Sequence, residues 1–205
     1  MWIFLVALYL FGTLNAVFGA FVVKQPRDTV VVSVCSFDDG DTCGWGPVDG
    51  LRPNYQWNLI SASSPAFDVN LAIPVDDLTQ AGSGLFLYFN TSATPARGTI
   101  LTKEFIRQSP DDALCLKFWT YMKGSNPGDL YLMITGGNGG LISNLEMFAL
   151  PGRETRQWEQ QMVQMPVGVD TMKDFTLTFE GRHGIFEGHG GIAMDNISTT
   201  PGLCR

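Results

Sequence analysis

The amino-acid sequence predicts an all-β fold made of two packed sheets, and three observations lead to this prediction. Several segments alternate apolar and polar side chains with a period of two, which is typical of half-buried strands. Clusters of glycine with proline, serine or asparagine lie between these segments and mark turns. About ten short strands joined by glycine-rich loops indicate a β-sandwich rather than a helical bundle.

The predicted strands differ in how far they are buried. Two predicted strands, residues 130–134 and 175–179, carry a large aliphatic or aromatic side chain at every second position. We therefore expect one face of each strand to point into the core. Residues 85–89 and 114–122 are apolar, aromatic runs that are bounded by turn residues, and we expect them to be more central strands. The remaining predicted strands are residues 30–34, 99–102, 147–149, 159–164 and 192–197.

The first segment predicts a secretory signal peptide. Residues 1–23 carry no charged side chain, and their apolar run ends in small residues near Gly19. We expect cleavage to remove residues 1–19 and to leave residues 20–34 as a lead-in whose valine-rich end pairs as an edge strand. A retained signal anchor is the alternative, but glycine, threonine and asparagine interrupt the run. We therefore expect a secreted, extracellular protein with no membrane insertion after cleavage.

Composition and charge argue against several classes of protein. Lys and Arg total 13 against 20 Asp and Glu, which gives a formal net charge of −7 and few cations for nucleic acid binding. Hydrophobic residues make up 45% of the chain and charged residues 16%, so the chain is too apolar to be disordered.

Four cysteines follow the predicted signal peptide: Cys35, Cys43, Cys115 and Cys204. An even number in an oxidising compartment indicates two disulfides, and three connectivities are open. Their spacing suggests one short loop and one long loop. Zinc binding is the rival interpretation, but the sequence contains no C-x-x-C pair.

Residues suited to catalysis are sparse in the sequence. His183, Glu187 and His189 form a small cluster in a glycine-rich segment, and a metal-dependent hydrolase would have to use them. Their spacing does not match a known zinc motif, so we favour solvated loop residues. An assembling matrix component is a second alternative function.

An acidic loop offers ligands for a hard cation. Asp38, Asp39 and Asp41 lie between Cys35 and Cys43, and oxygen ligands on a short loop suit Ca²⁺. The alternative is a plain acidic turn whose carboxylates are solvated or accept backbone hydrogen bonds.

The order of these residues resembles the MAM domain family. The matching segments are CSFDD at residues 35–39, CGW at 43–45, LCLKFWTYMKG at 114–124, FEG at 179–181 and GIAMDNI at 191–197, followed by Cys204. The similarity covers residues 35–204, so we take this range as one MAM domain. The ordered set of cysteines and tryptophans is more specific than any single motif in the chain.

The resemblance implies a jelly-roll β-sandwich of two antiparallel sheets, with disulfides Cys35–Cys43 and Cys115–Cys204. It also implies a non-catalytic extracellular module for recognition or adhesion, whose partner is a protein or a glycan. Association between two copies is one form that such recognition takes. Trp45, Phe118, Trp119 and Phe179 are expected in the core, because aromatic residues in alternating strands usually pack there.

The resemblance also places Asp38 close to Asp195, so we expect a structural Ca²⁺ held by these two residues and Asp41. In this interpretation Asp195 shares a strand face with Ala193 and Ile197. Two N-x-S/T sequons begin at Asn90 and Asn196, which makes both residues candidates for N-glycosylation.

Overall fold

The computed structural model describes residues 34–47, 57–63, 78, 84–91, 99–106, 113–136, 142–165, 174–183 and 188–205. Regular structure in these ranges is entirely β-strand, and they contain no helix long and apolar enough to cross a membrane. The predicted signal peptide and the lead-in up to residue 33 lie outside the described residues. The strands are β1 (Val34–Cys35), β2 (Gly46–Pro47), β3 (Asn58–Ser61), β4 (Leu85–Asn90), β5 (Thr99–Ile106), β6 (Leu114–Gly124), β7 (Asp129–Gly136), β8 (Ile142–Leu150), β9 (Glu159–Gln164), β10 (Asp174–Arg182) and β11 (Gly190–Pro201).

These strands form two antiparallel sheets. The six-stranded sheet has the order β3-β4-β11-β6-β9, with β1 also paired to β11, and the five-stranded sheet has the order β2-β5-β10-β7-β8. The chain crosses repeatedly from one sheet to the other, for example from β5 to β6 and again from β9 to β10. The predicted all-β fold, a jelly-roll sandwich with two disulfides, is therefore confirmed.

The core lies between the inner faces of the two sheets. On β6, every second side chain from Leu114 to Met122 faces the five-stranded sheet, which follows from the period of two in a strand. The Phe118 ring lies 4.9 Å from that of Phe179, and the Trp45 ring lies 5.3 Å from Phe179. Trp45, Phe118 and Phe179 are thus core residues, as predicted.

The prediction for Trp119 was wrong. Because Trp119 follows Phe118 directly in a regular strand, its side chain points to the opposite side of the sheet, where it is half-buried. Successive aromatic residues along a strand point to opposite faces of the sheet, and only one of these faces packs in the core.

A bulge in β11 also changes the expected arrangement. Asp195 pairs with Trp119 and Ser198 pairs with Lys117, so β11 contains one extra residue at this point. Asn196 adopts the left-handed conformation with φ 47°, which asparagine tolerates well. As a result Ile197 enters the main core. The prediction that Ile197 shares a strand face with Asp195 was therefore wrong.

Two disulfides join Cys35 to Cys43 and Cys115 to Cys204, the pairs that the family resemblance implies. The first closes the acidic loop beside β1. The second ties the start of β6 to the C-terminal segment, and Gln164 strengthens this junction. Its side-chain amide donates to the Leu114 carbonyl (3.0 Å), and its carbonyl oxygen accepts from the Cys204 N–H (2.8 Å).

Candidate functional site

The outer face of the six-stranded sheet carries a second aromatic cluster. Phe86 and Tyr88 of β4 and Ala193 of β11 are buried there, away from the main core. Ile60, Ala62, Tyr121 and Trp158 pack against them and remain half-buried. We call this surface, together with Trp119, the aromatic face.

Strand register fixes the arrangement of the aromatic face. Ala193 on the central strand pairs with Tyr88 on one side and with Tyr121 on the other. The Tyr88 ring lies over Gly191, where an added Cβ would come within 2.1 Å of the Tyr88 hydroxyl. The small residues of β11 therefore make room for two rows of aromatic side chains, Phe86 and Tyr88 on β4 and Trp119 and Tyr121 on β6.

Trp158 lies just before β9 and joins the two rows. Its ring makes edge contacts with Phe86 and with Tyr121, each at a centroid distance of 5.7 Å. Buried Thr155 holds the preceding segment against β6, because its hydroxyl accepts from the Met122 N–H at 2.9 Å and its own N–H donates to the Met122 carbonyl at 2.7 Å. Trp158 is thus positioned by backbone hydrogen bonds as well as by ring packing.

Three members of the aromatic face are accessible to a ligand. Trp119, Tyr121 and Trp158 are half-buried and adjacent, since Trp119 and Tyr121 are two residues apart on one strand. Burial, together with the nearby charge of Glu154, raises the pKa of Tyr121 above its usual value of 10.0. The phenol therefore stays protonated, and able to donate a hydrogen bond, at physiological pH.

The acidic loop lies beside the end of β4. The Asp38 Oδ1 atom accepts a hydrogen bond from the Leu85 N–H at 3.2 Å, which links the loop to this strand. Asp39 and Asp41 each accept a hydrogen bond from the backbone N–H two residues further on, at 2.9 and 2.8 Å. The contacts of Asp39 and Asp41 are turn-forming hydrogen bonds of the kind common for aspartate.

Asp195 is fully buried on the outer side of β11, next to the bulge. Its Oδ1 atom accepts a hydrogen bond from the Asn196 N–H at 2.6 Å. Asp38 and Asp195 approach the same end of β4, because Met194 pairs with Leu87. Within the described ranges, no group of three or more histidine, cysteine, aspartate or glutamate side chains is arranged to hold a metal ion.

Comparison with protein-family models decides the family. Residues 35–205 match the model described as "MAM domain, meprin/A5/mu". The chain belongs to the MAM domain family. This MAM domain is 26% identical over 178 residues to the curated Homo sapiens protein "Meprin A subunit beta". The match covers 83% of this chain and 23% of the relative, so the chain spans about a quarter of that protein's length.

Two solved structures share the fold at low sequence identity. The MAM domain superposes on the K2 cleaved adhesin domain of Lys-gingipain with a TM-score of 0.55 and 14% identity, covering 82% of this chain and 99% of that one. It superposes on the CBM22-1 xylan-binding domain of Paenibacillus barcinonensis Xyn10C with a TM-score of 0.53 and 12% identity, covering 86% and 98%. The shared feature is the β-sandwich architecture.

Neither of the two histidines of this MAM domain belongs to the aromatic face. His183 directly follows β10 of the other sheet, and His189 is exposed just before β11. The Ser125 hydroxyl donates to the His189 carbonyl at 3.4 Å, so this backbone packs on the turn between β6 and β7. Glu187 lies outside the described residues.

The two sequon asparagines lie on the six-stranded sheet. Asn90 ends β4 and pairs with Gly191, two residues beyond Tyr88, so it belongs to the outer side of the sheet. Asn196 occupies the β11 bulge and is half-buried.

The outer face of the five-stranded sheet has a different character. The Arg182 guanidinium lies 4.0 Å from the centre of the Tyr131 ring and bonds the Glu180 carboxylate at 2.7 Å. The hydrogen bond with Glu180 is the main reason that the pKa of Arg182 is raised. Thr176, Thr178 and Glu180 of β10 alternate with inward-facing side chains, so they lie on this outer face near Tyr131, which we use as a control position.

The sequence did not predict the aromatic face as a site. The alternation of Phe86 and Tyr88 within an apolar run and the isolated Trp158 were visible, but nothing local assigns them to one outer surface. Only the pairing of β4, β11 and β6 brings them together.

Proposed function

We propose that this MAM domain is a secreted, non-catalytic recognition module that binds an extracellular glycan on its aromatic face. The observation that carries the proposal is the contiguous set of half-buried rings of Trp119, Tyr121 and Trp158 on the outer side of a sheet. Large aromatic surfaces left partly open on a folded protein mark interaction sites.

The chemistry of the face suits a sugar. Aromatic rings present flat apolar surfaces that match the C–H faces of pyranose rings, while neighbouring polar groups bond hydroxyls. The Tyr121 hydroxyl, exposed Gln160 beside Trp119, and Lys123 at the next outward position of β6 provide such polar groups. Because Trp119 and Tyr121 sit on a paired strand and Trp158 packs against buried Phe86, little conformational entropy is lost when a ligand binds.

The architecture supports the same class of partner. One of the solved structures with this fold is a xylan-binding domain and another is an adhesin domain. At 12–14% identity they support the fold and a general binding role, and the choice of a glycan rests on the aromatic face itself.

The proposal is tested with an array of extracellular glycans and purified mature protein. We expect Trp158→Ala to lose binding at least about tenfold, because it removes the ring that joins both aromatic rows. Tyr131→Ala, on the outer face of the other sheet, is the matched control and should bind like wild type. Since Asn90 lies on the same side of the sheet, glycosylated and enzymatically deglycosylated protein are compared.

Two results would contradict the glycan proposal. One is equal loss of binding in the Trp158→Ala and Tyr131→Ala proteins, which would place the ligand elsewhere. The other is no binding to any glycan, combined with a protein partner that is lost in Trp158→Ala. If the protein were instead a hydrolase that uses His183 and His189, replacing both residues by alanine would abolish hydrolysis of the bound glycan.

We also propose the structural Ca²⁺ that the sequence suggests, with Asp38, Asp41 and Asp195 as ligands. Support comes from the convergence of Asp38 and Asp195 on the same end of β4. These three carboxylates do not form a ready metal-binding group in the described structure, so backbone carbonyls and water would supply most of the 6–8 oxygens that calcium binds.

Thermal unfolding with added calcium and with a chelator tests this ion. A site that binds only the folded state stabilises it by about 2.7 kcal/mol when free calcium is one hundred times Kd, so calcium should raise the wild-type Tm. Asp195→Asn should reduce the response. Equal Tm values for the wild type in calcium and in chelator would contradict the site.

Secretion and N-glycosylation belong to the same proposal. The uncharged apolar N-terminal segment supports secretion, and the two disulfides fit an oxidising compartment. Asn90 and Asn196 are the proposed glycan attachment sites. Asn90 is the better placed of the two, because Asn196 lies within a bulge between paired residues.

A further inference from the structure

The outer face of β6 carries a regular pattern of charge as well as aromatic rings. Because side chains alternate along a strand and Phe118 faces the core, every second residue on either side of its position points to the outer face. In chain order these outward-facing residues include Lys117, Trp119, Tyr121 and Lys123. The two rings therefore lie between two lysines, whose Cα atoms are separated by about 20 Å at the usual rise of a strand.

Both lysines of this row are available to a ligand. Lys117 and Lys123 are half-buried, and a lysine in such a position covers apolar surface with its aliphatic stem while its ammonium group stays in water. Within the part of the chain that the structure describes, neither ammonium group forms an ion pair with a carboxylate. Their positive charges are therefore open to an anionic group of a ligand.

Acidic groups are few on this surface. Of the outward-facing residues in the described strands of the six-stranded sheet, Asp195 is the one that is acidic, and it is fully buried. Burial first, and then the charge of exposed Glu154, raise the pKa of Tyr121, so this second carboxylate lies near the rings. The whole chain has a formal net charge of −7, which makes a surface with two unpaired lysines a local exception.

We propose that the glycan bound on the aromatic face is an acidic polysaccharide that runs along β6, with carboxylate or sulfate groups at Lys117 and Lys123. This inference rests on the proposed binding of a glycan at this face. Sugar rings stack on Trp119 and Tyr121, and the ammonium groups at both ends of the row form charge-assisted hydrogen bonds with the anionic groups. Because the lysines are about 20 Å apart, the ligand is a chain of several sugars rather than a monosaccharide.

The test compares charged and neutral forms of one oligosaccharide. The probes are an octasaccharide of alternating glucuronate and N-acetylglucosamine, a sulfated form of it, and a form whose carboxyl groups are reduced to hydroxymethyl groups. In titration calorimetry of the purified mature protein, we expect a charged form to bind at least about tenfold more tightly than the neutral form. A preference for the sulfated form over the unsulfated one would assign the lysine contacts to sulfate.

Charge-removing variants test the two lysines. Lys117→Gln and Lys123→Gln each keep a polar side chain, and each should lower the ratio of acidic to neutral affinity about threefold, with about a tenfold reduction in the double variant. Arg182→Gln removes the same charge from the outer face of the other sheet and should leave the ratio unchanged. Glu154→Gln removes a carboxylate near the rings and should raise the ratio. The Tm of every variant is measured to separate lost contacts from lost folding.

The outcomes separate this inference from the proposed function. Binding of neutral glycans only, equal affinity for charged and neutral forms, or an unchanged ratio in the double lysine variant would overturn the acidic ligand. If binding in any of these cases is still lost in Trp158→Ala, the glycan site on the aromatic face stands. Failure of every probe and of every glycan in the array to bind would overturn both proposals.

Discussion

Replacing Cys115 and Cys204 together by alanine is expected to lower the free energy of unfolding by about 4.6 kcal/mol. The two cysteines are 89 residues apart, and a cross-link that closes a long loop removes much entropy from the unfolded chain. Replacing both residues leaves no unpaired thiol that could form a wrong disulfide. Urea unfolding monitored by fluorescence gives the value.

The short disulfide is the natural comparison. Cys35 and Cys43 have a sequence separation of 8, so their disulfide closes a much shorter loop. Replacing both should therefore lower the free energy of unfolding by only about 2.6 kcal/mol. If removal of the short disulfide proved more costly than removal of the long one, the loop-entropy explanation would be wrong. The acidic loop and its contact with β4 would then be the more important stabilising element.

Phe118→Ala is the second replacement with a large expected effect. It should lower the free energy of unfolding by about 3–5 kcal/mol. The Phe118 ring is fully buried and contacts the rings of Phe179 at 4.9 Å and Phe148 at 5.8 Å. Truncation leaves a cavity between the two sheets that paired strands cannot collapse to fill. The measurement is again equilibrium unfolding in urea.

Trp119→Ala is the matched control for this replacement. Trp119 is the next residue on the same strand, but its ring lies on the outer face and is half-buried. Its removal should cost roughly 1–2 kcal/mol, since it opens no cavity in the main core. Equal losses for the two variants would contradict the assignment of opposite faces.

The strands were largely predictable because their pattern is local. Alternation in 130–134 and 175–179 identified β7 and β10, and the apolar run 114–122 identified most of β6. The short strands β2 and β3 have too few residues to show a period, so they were not predicted.

The assignment of side chains to faces was less predictable. A run in which both faces are apolar or aromatic has no polar marker for its outer side, which is why Trp119 was assigned to the core. The β11 bulge reverses the alternation after Asp195, and a single asparagine in the left-handed conformation is not a sequence signal strong enough to locate it.

The aromatic face depends on contacts between residues far apart in the chain. Phe86 and Trp158 meet because β4 and β6 both pair with β11 and because Thr155 holds the Trp158 segment against β6. Sequence spacing contains no information about these pairings. The acidic loop was easier to find, since its aspartates and cysteines lie within a few residues of one another.

The most direct test of glycan recognition is titration calorimetry of one glycan selected from the array against wild type and Trp119→Ala. The variant's Tm is measured on the same samples. We expect Trp119→Ala to remain folded, with a Tm only slightly reduced, and to lose at least about tenfold in affinity, because its ring contributes contact area to the ligand. A folded Trp119→Ala protein with unchanged affinity would contradict binding on the aromatic face.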